Sequence, residues 1–357
     1  MSEDVSPSQL TVLDLPQIYT KPPFSAIHST LASLTLHPES WSTPSSFHAL
    51  PPINEEGIPA YLTRLISSPL AWLSSDAERE EIWEAASKRL SERSGRSGMS
   101  SLRRTFKIPR SSEPSEAEEM DIRIHEPGLV NDQLGHKTWL GAFVLAKLLP
   151  RLLPRYFALG REDCNGASEG AGGSQQRRLR ILELGAGTGL AGIAAAALYR
   201  KRVEVHMTDL PEIVPNLRAN IFQNSLLLSD GAHVSADVLD WSDLPSSEDL
   251  KGEEEMYDCI LAADSLYGPE HPPILTDTIA VYLEKRKEAK VFTVLPFREM
   301  ELDYHGELRE QMATKGFRVL EEGEEVGVED WYNSGANGAE RAEVRCWWCV
   351  WGWQCFH

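Results

Sequence analysis

Apolar residues change their spacing twice along this chain, and the changes divide it. Through residues 1–57 the hydrophobes are scattered, with Leu13, Leu15, Ile18, Tyr19, Phe24 and Trp41 set among Ser and Pro. That composition reads as an extended segment able to wrap a surface without forming a core. From Ile58 the spacing becomes helical. Residues 58–66 and 76–93 are expected helices, the second opened by Ser75 and Glu78 at capping-box spacing, with Ile82, Trp83, Ala86 and Leu90 along one face. Trp72 and Trp83 are expected in core rather than as ligand platforms.

Ile122 and Ile124 then alternate with charge as a short strand, and 139–149 is an apolar helical run. Past a Gly- and Ser-rich insertion at 160–176, apolar strands are expected at 181–182, 203–207, 233–238, 257–263, 290–295, 317–320 and 343–351, with an acidic loop at 246–255. Strand, helix, strand alternation is the signature of a mainly parallel sheet covered by helices, so the fold class is α/β. The expected organisation is an extended segment 1–57, a small helical region 58–119 ending in a basic linker, and a sheet domain 120–357.

Composition narrows the picture. The 357 residues are 41% apolar and 25% charged, enough for a large core with an attached region. A formal net charge of −19 opposes duplex nucleic-acid binding, whose affinity comes largely from phosphate neutralisation, and no direct nucleic-acid partner is expected. Eight basic residues between Lys88 and Arg110 face only Glu92. They read as a solvated linker or as an island meeting an acidic surface or ribosomal RNA, with Phe106 the only interleaved aromatic. The five cysteines make no even framework and no secretory segment opens the chain, so a reducing, intracellular setting is expected. Cys346 and Cys349 have metal spacing, but an alternating strand puts them on opposite faces, and no metal is expected. The run 139–149 is too short to cross a bilayer and contains Lys147.

The chemistry concentrates in Leu-Arg-Ile-Leu-Glu-Leu-Gly-Ala-Gly-Thr-Gly-Leu-Ala-Gly, from Leu179 to Gly192. It reads as strand, tight turn and helix, with the helix-start amides expected to face the crevice at the strand ends. Gly185, Gly187 and Gly189 alternate, unlike the G-x-G-x-x-G of dinucleotide sites, and Glu183 precedes them. A pyrophosphate wants bare amides, whereas the ammonium and sulfonium of S-adenosylmethionine favour a carboxylate. Asp209 lies twenty residues after Gly189 at the end of the second strand. There it is placed either to accept ribose hydroxyls or to cap a helix. Trp241 after the third strand is a candidate to stack on an adenine or to pack in the core. Asp264 and Tyr267 close the fourth strand, where a carboxylate and a phenol can position or deprotonate an amine. No Pro-Pro follows Asp264, so the arrangement that grips a planar nitrogen is missing.

These pieces together resemble the seven-strand S-adenosylmethionine-dependent protein-lysine methyltransferases. They are Lys137-Thr138-Trp139, Glu183-Leu184-Gly185-Ala186-Gly187-Thr188-Gly189-Leu190, Thr208-Asp209-Leu210, Leu239-Asp240-Trp241 and Ala262-Ala263-Asp264-Ser265-Leu266-Tyr267. The resemblance runs from about Gly128 to Trp353. It implies a Rossmann-like seven-strand sheet with helices on both faces, and S-adenosyl-L-methionine as cofactor. It also implies that Trp139, Gly185, Ala186, Gly187, Asp209, Trp241 and Ala263 line that cofactor, that Glu183 supports them, and that Asp264 and Tyr267 stand at the acceptor. Further residues are similar to the fungal branch that methylates translation elongation factor 2, with factor 3 a second candidate: 15–22 (Leu-Pro-Gln-Ile-Tyr-Thr-Lys-Pro), 68–73 (Ser-Pro-Leu-Ala-Trp-Leu) and 91–96 (Ser-Glu-Arg-Ser-Gly-Arg). The implied enzyme is a cytoplasmic monomer acting on a protein lysine. The alternatives are small-molecule N-methylation on the same fold and a non-catalytic cofactor-binding subunit.

Overall fold

The computed structural model describes residues 10–35, 53, 56–93, 101–113, 118–128, 134–159, 177–245, 256–298, 302–329 and 342–354. They group into two compact units. The first carries α1 (Phe24–Ser33), α2 (Ile58–Ser67) and α3 (Asp76–Ser91). Its core joins Ile27 and Leu31 of α1 to Ile58, Tyr61, Leu62 and Leu65 of α2 and Ile82 and Ala86 of α3. The segment read as extended thus contains a helix. Pro22 and Pro23 stop the preceding turn and leave Phe24 onward free to coil, with Pro23 as the N-cap residue. Trp72 and Trp83 pack against this core and donate their indole N–H to Pro22 O (2.8 Å) and Ser68 O (3.0 Å), as an aromatic with a polar handle must. Ser75 does cap α3, accepting the Glu78 amide at 3.2 Å. Glu78 closes the box one residue early, on Ser74 N and Oγ rather than on Ser75.

The second unit begins with β1 (Leu102–Pro109) and β2 (Glu119–Glu126), a two-stranded sheet. Three of the island's eight basic residues, Arg103, Arg104 and Lys107, therefore lie in a strand rather than a linker. Arg104 is buried on Glu126 (3.2 Å), Lys107 meets Asp121 (3.3 Å), and in the first unit Arg89 is buried on Glu92 (3.1 Å). Of the island, 94–100 lies outside the described residues, as do Trp41, Cys164, Cys355, the 160–176 insertion and the 246–255 loop.

Next come α4 (Leu140–Tyr156), β3 (Leu179–Leu184), α5 (Leu190–Tyr199), β4 (Val203–Asp209), α6 (Val214–Gln223), β5 (His233–Val238), β6 (Cys259–Ala263), α7 (His271–Tyr282), β7 (Lys290–Pro296), α8 (Leu302–Thr314), β8 (Phe317–Glu329) and β9 (Ala342–Trp353). The seven-stranded sheet has the order β5-β4-β3-β6-β7-β9-β8. Five strands are parallel neighbours and β9 runs antiparallel to β7. The central strands are apolar on both faces, as helix-covered parallel strands must be: every residue of β6 and β7 is buried. The Trp-rich stretch is the inner strand β9, with Trp347, Trp348 and Trp351 buried, and Cys346 and Cys349 are buried thiols. Burial pushes the Cys349 thiol up, with Glu322 adding to it, and the described residues hold no metal-ligand cluster. Two expectations were too short. α4 continues through Pro150 and Pro154 to Tyr156, and β8, expected at 317–320, runs to Glu329.

One face of α6 is an amide ladder. Asn216, Asn220 and Asn224 recur every four residues, so they form a single stripe, and they meet the backbone of β2. Asn220 Oδ1 accepts His125 N (2.8 Å), Asn224 Oδ1 accepts Arg123 N (3.0 Å), and their Nδ2 groups donate to His125 O (3.1 Å) and Arg123 O (2.7 Å). The side-chain amides do for β2 what a neighbouring strand would do, satisfying donors and acceptors that burial would otherwise penalise. Asn220 also donates to Thr188 O at 3.0 Å, so the ladder reaches the glycine turn.

Candidate active site

The turn from β3 into α5 takes three left-handed residues, Gly185 (φ +64°), Gly187 (+56°) and Gly189 (+86°). A side chain at these positions would be strained, which is why alternate residues are glycine. At Gly185 a Cβ would also press on the Trp241 ring at 3.2 Å. Four amides of the turn and the first helical turn are already taken. Ala186 N donates to Thr208 O (3.0 Å), Gly187 N to Asp209 Oδ2 (2.7 Å), Gly189 N to Ala186 O (2.8 Å) and Gly192 N to Glu183 Oε2 (2.9 Å). This turn is no cradle for a pyrophosphate. It presents carboxylates instead.

Asp209 closes β4 with Oδ1 accepting Leu210 N (2.8 Å) and Oδ2 accepting Gly187 N, which leaves each oxygen a lone pair for a hydroxyl. Burial raises its pKa, opposed by those two amides. Glu183 lies one layer deeper. Burial pushes its carboxyl up to about 8, the Gly192 amide opposes this, and the Asp209 charge adds to it. Both groups accept backbone amides, and positive charge placed near either would favour its ionised form. The chemistry of the set fits S-adenosylmethionine: a diol for Asp209, cationic groups for the acidic turn, and an aromatic, Trp241, beside Gly185.

Across the sheet, β6 ends at Ala263, and Asp264 turns away with φ +52°, a strained value for a residue with a side chain. The side chain of Asp264 is only 3% exposed. Its Oδ1 accepts Arg298 Nη1 at 3.0 Å and its Oδ2 accepts the amide of Gly141 at the start of α4. Trp139, the N-cap residue of α4, lies under the Arg298 guanidinium, 4.9 Å from Cζ to the ring centroid. Tyr267 is 53% exposed and packs on His271, with ring centroids 4.0 Å apart. Its pKa is raised by desolvation first, then by the charges of Asp209, Glu270 and Glu212.

The fold thus brings Gly185, Ala186, Gly187, Asp209 and Trp241 together around one turn, and Trp139, Ala263, Asp264 and Tyr267 at the ends of α4 and β6. Sequence reading missed Gly141 and Arg298. A Cβ at Gly141 would sit against the Asp264 carboxylate, and 3.0 Å from Val294 O. The available signals were a glycine two residues after Trp139 and an arginine just beyond the fifth strand of the sheet. Also missed was Thr138, whose amide donates to Glu126 (3.1 Å) and whose hydroxyl bonds Thr188 in the turn (2.8 Å).

A dinucleotide-binding sheet has strand order 3-2-1-4-5-6; here a further strand, β9, is inserted antiparallel beside β7, and the glycine turn offers carboxylates. Fold and turn define an S-adenosylmethionine-dependent methyltransferase. Residues 116–310, more than half of the chain, match the lysine methyltransferase family, and the chain belongs to that family. It is similar to protein-lysine N-methyltransferase rrg1 of Schizosaccharomyces pombe, 30% identical over 89% of this chain and 92% of that protein. It is similar also to protein-lysine N-methyltransferase EFM2 of Saccharomyces cerevisiae, 32% identical over 71% of this chain but only 57% of that longer relative. A calmodulin-lysine N-methyltransferase of Arabidopsis thaliana matches at 31% identity over 34% of this chain and 38% of its own length. Among the described residues no helix is long and apolar enough to cross a membrane.

Proposed function

We propose that this lysine methyltransferase modifies a lysine of translation elongation factor 2, with elongation factor 3 as a second candidate, acting as a monomer in the cytoplasm. The observation that carries the lysine reading is the family match over residues 116–310; beside it, Tyr267 is an exposed ring at the mouth of the proposed site, with the acidic Asp209, Glu270 and Glu212 near enough to act on it. Such a mouth favours a cationic side chain over a neutral metabolite. The absence of Pro-Pro after Asp264 supports an sp³ amine rather than a planar nitrogen. The choice of factor rests on the segments 15–22, 68–73 and 91–96.

When bound, S-adenosylmethionine supplies an activated methyl group, so the protein's work is placement. Trp139, Ala263 and the glycine turn line the cofactor, Asp209 takes its ribose hydroxyls, Trp241 stacks beside the turn, Asp264 orients the incoming amine, and Tyr267 bounds its approach. A lysine with its ordinary pKa of ~10.4 is neutral in only roughly one molecule in 2,500 at pH 7, so partial desolvation against the ring assists the reaction. Incubation of the enzyme with labelled cofactor and yeast lysate, followed by mass spectrometry of the labelled band, tests the reading. The expected band is elongation factor 2; labelled metabolites with no labelled protein would contradict it.

A further inference from the structure

Arg298 stands two residues beyond β7, and its guanidinium meets two of the residues assigned to opposite sides of the reaction. Nη1 donates to Asp264 Oδ1 at 3.0 Å, and Cζ lies over the ring of Trp139, 4.9 Å from its centroid. The second oxygen of Asp264 accepts the amide of Gly141, two residues along the chain from Trp139. The contacts close a ring: Trp139 to Gly141 through the chain, Gly141 to Asp264, Asp264 to Arg298, and Arg298 back to Trp139. The two charged side chains are 14% and 3% exposed, so the pair is shielded from solvent screening.

We propose that Arg298 is a positioning residue for methyl transfer, coupling Asp264 on the acceptor side to Trp139 on the cofactor side so that neither moves without the other. A guanidinium can do both jobs at once, donating through a fixed fork while its carbon lies over the ring; an ammonium keeps the charge but is a point donor without that fork. The coupling also explains two costs in the local backbone. Asp264 holds a left-handed conformation that its neighbours must enforce, and position 141 has no room for a side chain because the carboxylate stands there. With both oxygens engaged, Asp264 acts as a fixed negative group that orients an ammonium or amine.

The inference takes from the proposed function only which side each residue serves, and its test needs no acceptor. In enzyme labelled with fluorotryptophan, the Trp139 fluorine resonance is assigned by its loss in Trp139→Phe. Asp264→Asn is expected to shift that resonance, and to cause no further shift once Arg298→Met is present. Where an acceptor is available, Arg298→Met is expected to lower kcat about tenfold to a hundredfold with acceptor KM changed less than about threefold, the pattern of lost placement. Arg298→Lys, which keeps the charge and serves if the Met variant does not fold, should recover part of kcat but leave the Trp139 resonance displaced. A Trp139 resonance indifferent to Asp264→Asn, or a Lys variant with the wild-type resonance, would overturn the proposal. Neither result depends on which protein is methylated, so failure of the lysate experiment leaves this one standing, and the converse holds.

Discussion

The two halves of the proposed site, for cofactor and for acceptor, are built by different means. On the cofactor half, at the ends of β3 and β4, the geometry is local: three left-handed glycines, and carboxylates of Glu183 and Asp209 held by amides 9 and 22 residues away. On the acceptor half, at the ends of β6 and β7, it is assembled from afar: Asp264 reaches Gly141 across 123 positions and Arg298 across 34. The first half takes its shape from backbone conformations that glycine alone adopts comfortably. The second depends on side chains that meet only once the sheet has formed. Substitutions should therefore affect the first half mainly through cofactor affinity and the second mainly through turnover.

The largest expected effect is on the acceptor half. Gly141→Ala would drive a methyl group against the Asp264 carboxylate and to within 3.0 Å of Val294 O, neither of which has slack. Overpacking of this kind costs about 1–3 kcal/mol, and the displacement of Asp264 should lower kcat about a hundredfold. Urea unfolding and single-turnover methylation measure the two parts. A Gly141→Ala enzyme of normal turnover would remove the contrast between the halves.

On the cofactor half, Asp209→Ala should weaken S-adenosylmethionine binding about tenfold or more, corresponding to about 1.5–3 kcal/mol for a lost charge-assisted pair. Calorimetry on a folded variant is the check, and kcat at saturating cofactor should fall far less than Kd rises. Equal losses in both would blur the division.

A smaller effect concerns stability. The Glu183 carboxyl ionises near 4.5 when unfolded and at about 8 in the native protein, because burial disfavours its charge. Between those values the native state holds a proton the unfolded state has lost, so this group's contribution to stability falls as pH rises through that window. Glu183→Gln keeps an acceptor for the Gly192 amide and cannot ionise. Its urea midpoint should therefore decline less than the wild type's between about pH 5 and about pH 8. Parallel declines would mean the native carboxylate is not destabilised.

These contrasts also explain what could be read from the chain beforehand. The parallel strands, the glycine turn and Asp209 were legible because each is a short-range pattern: an apolar run, an alternation of glycines, an acid at a strand end. Even there the reading was incomplete, since among the helix-start amides expected to face the crevice that of Gly192 is taken by Glu183. Arg298 and Gly141 were illegible because nothing local marks an arginine that will lie over a tryptophan 159 residues earlier. The island at 88–110 misled for the same reason: the carboxylate that buries Arg104 lies on β2, and charge alone cannot tell a linker from an ion-paired strand.

The smallest expected change in turnover is that of Tyr267→Phe, at the mouth. Tyr267 is half exposed and its ring contacts His271. If it bounds the acceptor by shape, Tyr267→Phe should change kcat/KM only severalfold, while Tyr267→Ala should cost about tenfold or more. Steady-state assays with the protein acceptor separate the two, and a Phe variant as poor as the Ala variant would give the hydroxyl a chemical role instead.

The central claim, methyl transfer to a lysine amine, is tested most directly by fragmentation mass spectrometry of purified elongation factor 2 after reaction with this enzyme and methyl-labelled cofactor. The account predicts the label on the side-chain nitrogen of a lysine, and no label when that lysine is replaced by arginine, whose guanidinium stays planar and protonated. Label on an arginine or a glutamine, with every lysine unmodified, would contradict it.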